Sequence, residues 1–168
     1  MIKKLIRLVA IIALMLVFLV SGCGSVANTG AEIGDLAPDF QLQSTEGHYI
    51  TLSDLRGSPV ILNFWASWCS PCCYEMPFLQ QVYEEWQNEG IIILAINSSE
   101  SQSTIMGFME DNGFSFPVLM DDGAVSLYYN IVGIPTTFFI DKDGIIQKSK
   151  LGSFTSAAQI AGYISAIQ

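Results

Sequence analysis

The stretch Trp68-Cys69-Ser70-Pro71-Cys72-Cys73-Tyr74-Glu75-Met76-Pro77 decides the fold of this chain. It follows the apolar run from Val60 to Trp65 and precedes a pattern that is typical of a helix. Two cysteines separated by two residues, at a junction between a strand and a helix, indicate a redox-active dithiol. Cys73 stands directly beside that pair and has no evident place in the pattern.

Strands and helices alternate on both sides of this stretch. The segments 39–43 and 48–52 alternate in polarity around a Gly-containing turn and predict an N-terminal hairpin. The runs 60–65 and 91–96 are almost wholly apolar, as central strands covered on both faces should be. Helices are predicted over 71–89, 105–112, 124–129 and from about 155, and further strands over 118–120, 136–140 and 145–151. This order predicts an α/β sandwich whose central mixed sheet is flanked by helices.

The N-terminus has the features of an export signal. Basic residues at positions 3, 4 and 7 precede an unbroken apolar run from Leu8 to Val20. The sequence Val20-Ser21-Gly22-Cys23 then resembles the lipobox of bacterial lipoproteins, which implies cleavage before Cys23 and lipid on that cysteine. The alternative is an uncleaved N-terminal anchor. Both interpretations place the domain on the extracytoplasmic side of the cell membrane.

Three parts of the chain follow from this reading. Residues 1–22 are predicted to be a lipoprotein signal peptide, 23–33 the lipidated cysteine and a tether, and 34–168 a single domain. Loss of residues 1–22 removes three of seven basic and none of sixteen acidic residues, which leaves a net charge of −12. Because a domain this acidic lacks a basic patch to neutralise phosphates, nucleic acid is not an expected partner.

Several further motifs give the chain a family resemblance. The opening Ala37-Pro38-Asp39-Phe40, the segment 52–57, the Trp-Cys-x-x-Cys site and the segment 132–138 occur in the expected order. Together they resemble the TlpA/ResA-type membrane-anchored thiol–disulfide oxidoreductases of the redoxin (AhpC/TSA-like) superfamily. The resemblance covers residues 33–165 and implies a thioredoxin-like sandwich with an N-terminal hairpin and a helix inserted before Val118.

The dithiol has the placement that thiol–disulfide exchange requires. Cys69 ends a loop, so we expect it to be exposed, and the helix N-terminus beside it favours a thiolate. Cys72 lies one helical turn along on the same face and suits the resolving thiol. The alternative for the pair is a structural disulfide or two inert core cysteines.

The resemblance also implies residues that contact a substrate. Ile134-Pro135 matches the family's cis-proline loop, which lies against the dithiol and leaves backbone edges free for an extended chain. A plain turn proline is the alternative. Trp65 and Trp68 flank the site, where packing and a substrate-facing role are both open. We expect Trp65 to be packed and Trp68 to be partly exposed.

Two residues after the pair raise separate questions. Glu75 matches a glutamate of the ResA-type site that implies proton relay, and a solvated acidic residue near a helix N-terminus is the alternative. Asn63 stands where thioredoxin has a buried aspartate, and it cannot titrate.

Cys73 departs from the family pattern. We expect it to point away from Cys69 as a small packed residue, although a second resolving thiol remains open.

The resemblance implies a reductase that acts outside the membrane with the Cys69–Cys72 disulfide as its only redox group. Its implied substrate is an exported disulfide-containing protein such as apocytochrome c, and its electron donor a membrane protein of the CcdA/DsbD kind. No metal is expected, since His48, the only histidine, falls in the first hairpin at the surface.

A peroxiredoxin-like peroxidase is one alternative, yet Ala66 stands where those enzymes have threonine. A non-enzymatic Cu(I)-binding lipoprotein is the other. The sequence leaves the direction of electron flow open.

Overall fold

The computed structural model describes Ile2 and residues 28–168. Cys23 and, apart from Ile2, the whole predicted signal peptide lie outside the described residues. Within the part described, no helix combines the length and apolar character needed to cross a membrane.

Between residues 28 and 168 the chain forms seven strands and four α-helices. The strands are β1 (Gln41–Ser44), β2 (Tyr49–Thr51), β3 (Val60–Trp65), β4 (Ile92–Ser98), β5 (Val118–Asp121), β6 (Thr136–Ile140) and β7 (Ile146–Leu151). The helices are α1 (Ser70–Trp86), α2 (Gln102–Asn112), α3 (Ala124–Tyr128) and α4 (Ala157–Ile164), with 3₁₀ turns at Leu52–Leu55 and Gln87–Glu89.

All seven strands belong to one mixed sheet in the order β2-β1-β5-β4-β3-β6-β7. The strands β3, β4 and β5 run parallel, and both outer hairpins pair antiparallel to this centre. The predicted α/β sandwich with a central mixed sheet, an N-terminal hairpin and an inserted helix is therefore confirmed. The N-terminal hairpin extends that same sheet through β5.

Strand β3 is buried along its whole length and separates two apolar cores. Ile61 and Trp65 pack into the core beneath α1 and α4, while Leu62 and Phe64 pack into the core on the opposite face. Successive side chains of a strand point to opposite faces, so Asn63 faces the α1 side. A polar side chain is thus placed inside the core beneath the helix that follows the cysteines.

Helix boundaries differ from the predicted ones where polar residues open a helix. Helix α2 begins at Gln102 rather than at Ile105, because Ser101 caps it by accepting a hydrogen bond from the Thr104 N–H. The apolar periodicity starts only at Ile105 and conceals this first turn. Gly90 adopts the left-handed conformation, with φ of 82°, beyond the end of α1 and its 3₁₀ extension.

The segment 28–36 is fastened to the domain. The Leu36 N–H donates to the Asn28 carbonyl at 2.8 Å, and Leu36 bridges to Thr29 and Ile145. The Gly34 N–H donates to the Ile146 carbonyl at 2.8 Å. Residues 28–33, which the sequence reading assigned to the tether, are therefore hydrogen-bonded to the domain. Their polar, small side chains resemble those of a linker, and only the backbone pairing distinguishes them.

Candidate active site

The two cysteines of the predicted dithiol form a disulfide where β3 gives way to α1. Cys69 and Cys72 are bonded with their Cα atoms 5.2 Å apart. Cys69 is the N-cap residue of α1, and its Sγ accepts a hydrogen bond from the Cys72 N–H at 3.2 Å. Pro71 occupies the first turn, where its missing N–H costs nothing. This donor and the helix dipole would favour negative charge on the Cys69 sulfur once the bond is reduced.

The expectation that Cys69 is exposed was wrong. Its side chain is 6% exposed and that of Cys72 is wholly buried. The bond to Cys72 holds Cys69 against the helix, and the Ile134 carbonyl oxygen covers it at 3.6 Å from Sγ. The position of Cys69 at the end of a loop does not reveal that a residue 65 positions later in the chain covers it. Of the two bonded residues, Cys69 alone keeps any accessible surface, so it is the side of the disulfide that an outside thiolate can approach.

The covering loop contains the cis peptide bond predicted between Ile134 and Pro135. The Pro135 carbonyl already accepts a hydrogen bond from the Gly152 N–H at 2.8 Å, and the Gly133 carbonyl accepts one from Thr136 Oγ1 at 2.7 Å. The Ile134 carbonyl instead lies against the disulfide. The loop is thus braced on both sides of the residue that contacts Cys69.

The two tryptophans have the burial that we expected. Trp65 is wholly buried and packs against Phe108, with ring centroids 5.3 Å apart. Trp68, directly before Cys69, is 69% exposed. An exposed aromatic ring at the rim of the disulfide offers a contact surface, and its use by a substrate remains a prediction.

Glu75 is wholly buried, which excludes the interpretation of it as a solvated residue. It lies on the apolar face of α1 with Cys72, Met76 and Leu79. One carboxylate oxygen accepts a hydrogen bond from Asn63 Nδ2 at 2.8 Å, and the other accepts one from the Phe154 N–H at 2.7 Å. Burial raises the pKa of Glu75 above its ordinary 4.5, although the Phe154 and Asn63 hydrogen bonds and the Lys150 charge oppose the rise.

Asn63 connects this carboxylate to the sheet. Its Nδ2 also donates to Thr137 Oγ1 at 2.9 Å, whereas its Oδ1 has no hydrogen-bond partner. The polar trio of Asn63, Glu75 and Thr137 is therefore buried with one acceptor unused. If Glu75 exchanges protons, it has the Asn63 Nδ2 donor and the unused Asn63 Oδ1 acceptor beside it.

A second cluster, which the sequence reading missed, fixes the loop before Cys69. Glu100, after β4, accepts hydrogen bonds from the Ser67 N–H at 2.7 Å and from the Ser67 hydroxyl. It also accepts one from Asn97 Nδ2 at 2.8 Å. Burial alone would raise the pKa of Glu100, but these bonds together lower it. The signal that could have revealed Glu100 is its position at the carboxyl end of a central parallel strand, beside the end of β3.

Cys73 lies on the side of this cluster and is half-buried as a free thiol. Its Sγ donates to the Ser67 carbonyl at 3.2 Å. Burial, and to a smaller degree the Glu100 charge, raise the pKa of Cys73, while a backbone hydrogen bond opposes them. Cys73 is thus a poor thiolate near neutral pH, and the Ser67 carbonyl rather than the disulfide is its partner.

The described residues contain no group of three or more His, Cys, Asp or Glu side chains arranged to hold a metal ion. His48 is exposed in the turn of the first hairpin.

Comparison with known proteins gives consistent results. Residues 33–149 match the AhpC/TSA family. The thiol-disulfide oxidoreductase ResA of Geobacillus kaustophilus is 39% identical over 160 residues, which are 91% of this chain and 92% of that protein. ResA of Bacillus subtilis is 39% identical over 136 residues, or 80% and 75% of the two chains. The crystal structure of a putative thiol:disulfide interchange protein DsbE from Chlorobium tepidum superposes with a TM-score of 0.75 at 32% identity, covering 83% of this chain and all of the other.

Proposed function

We propose, from the premise that this chain belongs to the AhpC/TSA family and is a thiol–disulfide oxidoreductase, that it reduces disulfides in exported proteins while anchored to the membrane. The observation that carries the proposal is the Cys69–Cys72 disulfide at a helix N-terminus, with Cys69 as the N-cap residue beneath the Ile134 carbonyl and Cys72 wholly buried. The structure holds the oxidised enzyme, in which the two electrons have already been given up.

The exchange proceeds in two displacements. In the reduced enzyme the Cys69 thiolate attacks one sulfur of the substrate disulfide, forms a mixed disulfide and releases the first substrate thiolate. The Cys72 thiolate then attacks Cys69 Sγ, which breaks the mixed disulfide and releases the second substrate thiol. The substrate gains two electrons, and the enzyme returns to the disulfide form. The buried position of Cys72 protects it from outside thiols, so the intramolecular route resolves the intermediate.

Glu75 is the group we assign to proton transfer during this cycle. Reduction of the disulfide leaves the Cys72 sulfur in a buried site. This sulfur gains a proton when the thiol forms and must lose that proton before it attacks the mixed disulfide. Glu75 lies one helical turn further along the same face, and burial raises its pKa above the ordinary value of a carboxyl group. Exposed Trp68 and the Ile134-Pro135 loop form the proposed substrate contact.

The predicted signal peptide and the resemblance to the TlpA/ResA type support the proposed location and partners. A lipid on Cys23 would hold the domain on the outer face of the membrane, where no soluble reducing pool exists. Regeneration of the dithiol therefore needs a membrane electron donor, which we propose is of the CcdA/DsbD kind. The resemblance of the sequence to the TlpA/ResA type makes apocytochrome c, or another exported protein with a disulfide, the proposed substrate.

An insulin reduction assay tests the proposal. With dithiothreitol as electron source, the protein should accelerate precipitation of insulin chains, and Cys69→Ala should abolish the acceleration. Cys72→Ala should form a stable mixed disulfide that mass spectrometry detects on Cys69. Cys73→Ala is the matched control and should keep full activity. Full activity of Cys69→Ala would refute the assignment.

The same preparations separate the remaining alternatives. A reduction potential near roughly −250 mV or lower against glutathione would support a reductase, and one near about −120 mV an oxidase. Rapid consumption of hydrogen peroxide would favour the peroxidase. Stoichiometric Cu(I) binding without exchange activity would favour the copper-binding lipoprotein.

A further inference from the structure

Lys150, near the end of β7, ties together the turn that follows it. Its Nζ donates to the Gly152 carbonyl at 2.7 Å and to the Ser153 carbonyl at 2.8 Å, and lies 5.0 Å from the centre of the Phe154 ring. A lysine on a hairpin strand ordinarily extends into solvent. Here all three contacts fall on consecutive residues of one turn, which we call the 152–154 turn.

The 152–154 turn reaches the buried carboxylate. The Phe154 N–H donates to Glu75 Oε2 at 2.7 Å, and the Phe154 side chain is wholly buried against Phe139 and Tyr163. The position of this N–H therefore depends on how the turn is held. Lys150 holds it from the outside, and the aromatic packing holds it from the inside.

We propose that Lys150 is a positioning residue for Glu75: it fixes the turn that supplies one of the two hydrogen-bond donors to the buried carboxylate, and it supplies the nearby positive charge. Both effects act in one direction, because a hydrogen bond and a cation each stabilise the carboxylate over the carboxylic acid.

Among the described residues, the groups that hydrogen-bond to Glu75 carry no charge. Strand β3 contributes the Asn63 amide, β6 contributes the Thr137 hydroxyl through Asn63, and the 152–154 turn contributes the Phe154 amide. Lys150 is the charged group that acts on Glu75, in opposition to burial. Removal of the Lys150 charge should consequently move the titration of Glu75 to higher pH.

This inference rests on the proposed function only for the role of Glu75 in thiol–disulfide exchange. Its test follows the titration of Glu75 and does not require exchange activity. The carboxyl ¹³C resonance of Glu75, assigned by its loss in Glu75→Gln, is followed by NMR against pH in the oxidised protein. Lys150→Met removes the charge and the ties, and Lys150→Arg keeps the charge. Lys148→Met is the matched control, because Lys148 is an exposed lysine of the same strand.

Lys150→Met should raise the Glu75 midpoint by roughly half a pH unit or more, whereas Lys150→Arg should restore most of the difference and Lys148→Met should change nothing. A midpoint in Lys150→Met that coincides with that in Lys148→Met would overturn the inference. If Lys150→Met fails to fold, Lys150→Gln is judged by the same criterion. If the wild-type protein fails to reduce insulin while Lys150→Met still raises the Glu75 midpoint, the proposed function is wrong and this inference stands.

Discussion

Replacement of Glu75 by glutamine gives the sharpest test of the buried polar trio. In the wild type, Oε1 faces Asn63 Nδ2 and Oε2 faces the Phe154 N–H, at 2.8 and 2.7 Å. The oxygen of the new glutamine can keep the Phe154 bond, but its amide nitrogen then faces another donor. Rotation of the Asn63 amide turns the unused Oδ1 towards both this nitrogen and the Thr137 hydroxyl.

The hydrogen-bond count predicts a small cost. One buried polar atom of Asn63 lacks a partner before the exchange, and one lacks a partner after it. We therefore expect Glu75→Gln to change the free energy of unfolding by less than about 1 kcal/mol at pH values well below 4.5, where the wild-type carboxyl is protonated in both the folded and the unfolded state.

The pH dependence should then separate the two proteins. Burial raises the folded-state pKa of Glu75, so the folded protein binds this proton more tightly than the unfolded chain does. The stability that this proton contributes is complete below the unfolded pKa and is lost as pH rises through the folded pKa. Each unit of difference corresponds to about 1.4 kcal/mol. Glu75→Gln has no such loss, so it should gain stability relative to wild type between pH 4.5 and 8.

Urea denaturation of the oxidised protein at a series of pH values measures this difference. Glu85→Gln is the control, because Glu85 is exposed on the same helix and its replacement makes the same change in charge. A stability difference between Glu75→Gln and wild type that is constant with pH, or that falls as pH rises, would refute the account of Glu75 as a destabilised buried carboxylate.

Three other replacements probe the surroundings of the disulfide. Glu100→Ala removes the acceptor for both Ser67 donors and should cost about 2–3 kcal/mol at pH 7 by urea denaturation. Because the pKa of Glu100 is lowered, this difference should shrink as pH falls below 4.5, and a cost independent of pH would contradict it. Cys73 should react with iodoacetamide more slowly than a peptide cysteine at pH 7.5, since burial raises its pKa, and an equal rate would argue against burial. Leu79→Ala, in the core beneath α1, should cost about 2–5 kcal/mol in the same denaturation assay, and a cost below 1 kcal/mol would contradict tight packing there.

The succession of strands and helices along the chain and the position of the dithiol were predictable because their signals are local. Central strands such as β3 are apolar throughout, and the Cys-x-x-Cys spacing with Pro71 marks the first turn of the helix that follows. The burial of Glu75 also had a local signal. It lies four residues before Leu79 and three after Cys72, on the apolar stripe of α1. A charged residue on such a stripe indicates either a partner or a function.

The covering of Cys69 and the roles of Glu100 and Lys150 were not predictable in this way. Each depends on a contact between segments that are far apart in the chain: Cys69 with Ile134, and Ser67 with Glu100. Lys150 donates hydrogen bonds within its own turn, and the role we propose for it depends on the Phe154 N–H reaching Glu75, 79 residues earlier. The pairing of residues 28–36 was missed for a related reason, since backbone hydrogen bonds leave no trace in side-chain composition.

If Cys23 carries a lipid, the backbone pairing of residues 28–36 would limit how far the enzyme can reach from the membrane. Only four residues separate Cys23 from Asn28, where the hydrogen-bonded segment begins. Fully extended, such a length spans at most about 18 Å, which is less than the diameter of a domain of this size. The domain would rotate against the bilayer without leaving it. Collisions with a membrane donor would then occur in two dimensions at a high effective concentration, while a soluble substrate would have to come to the surface.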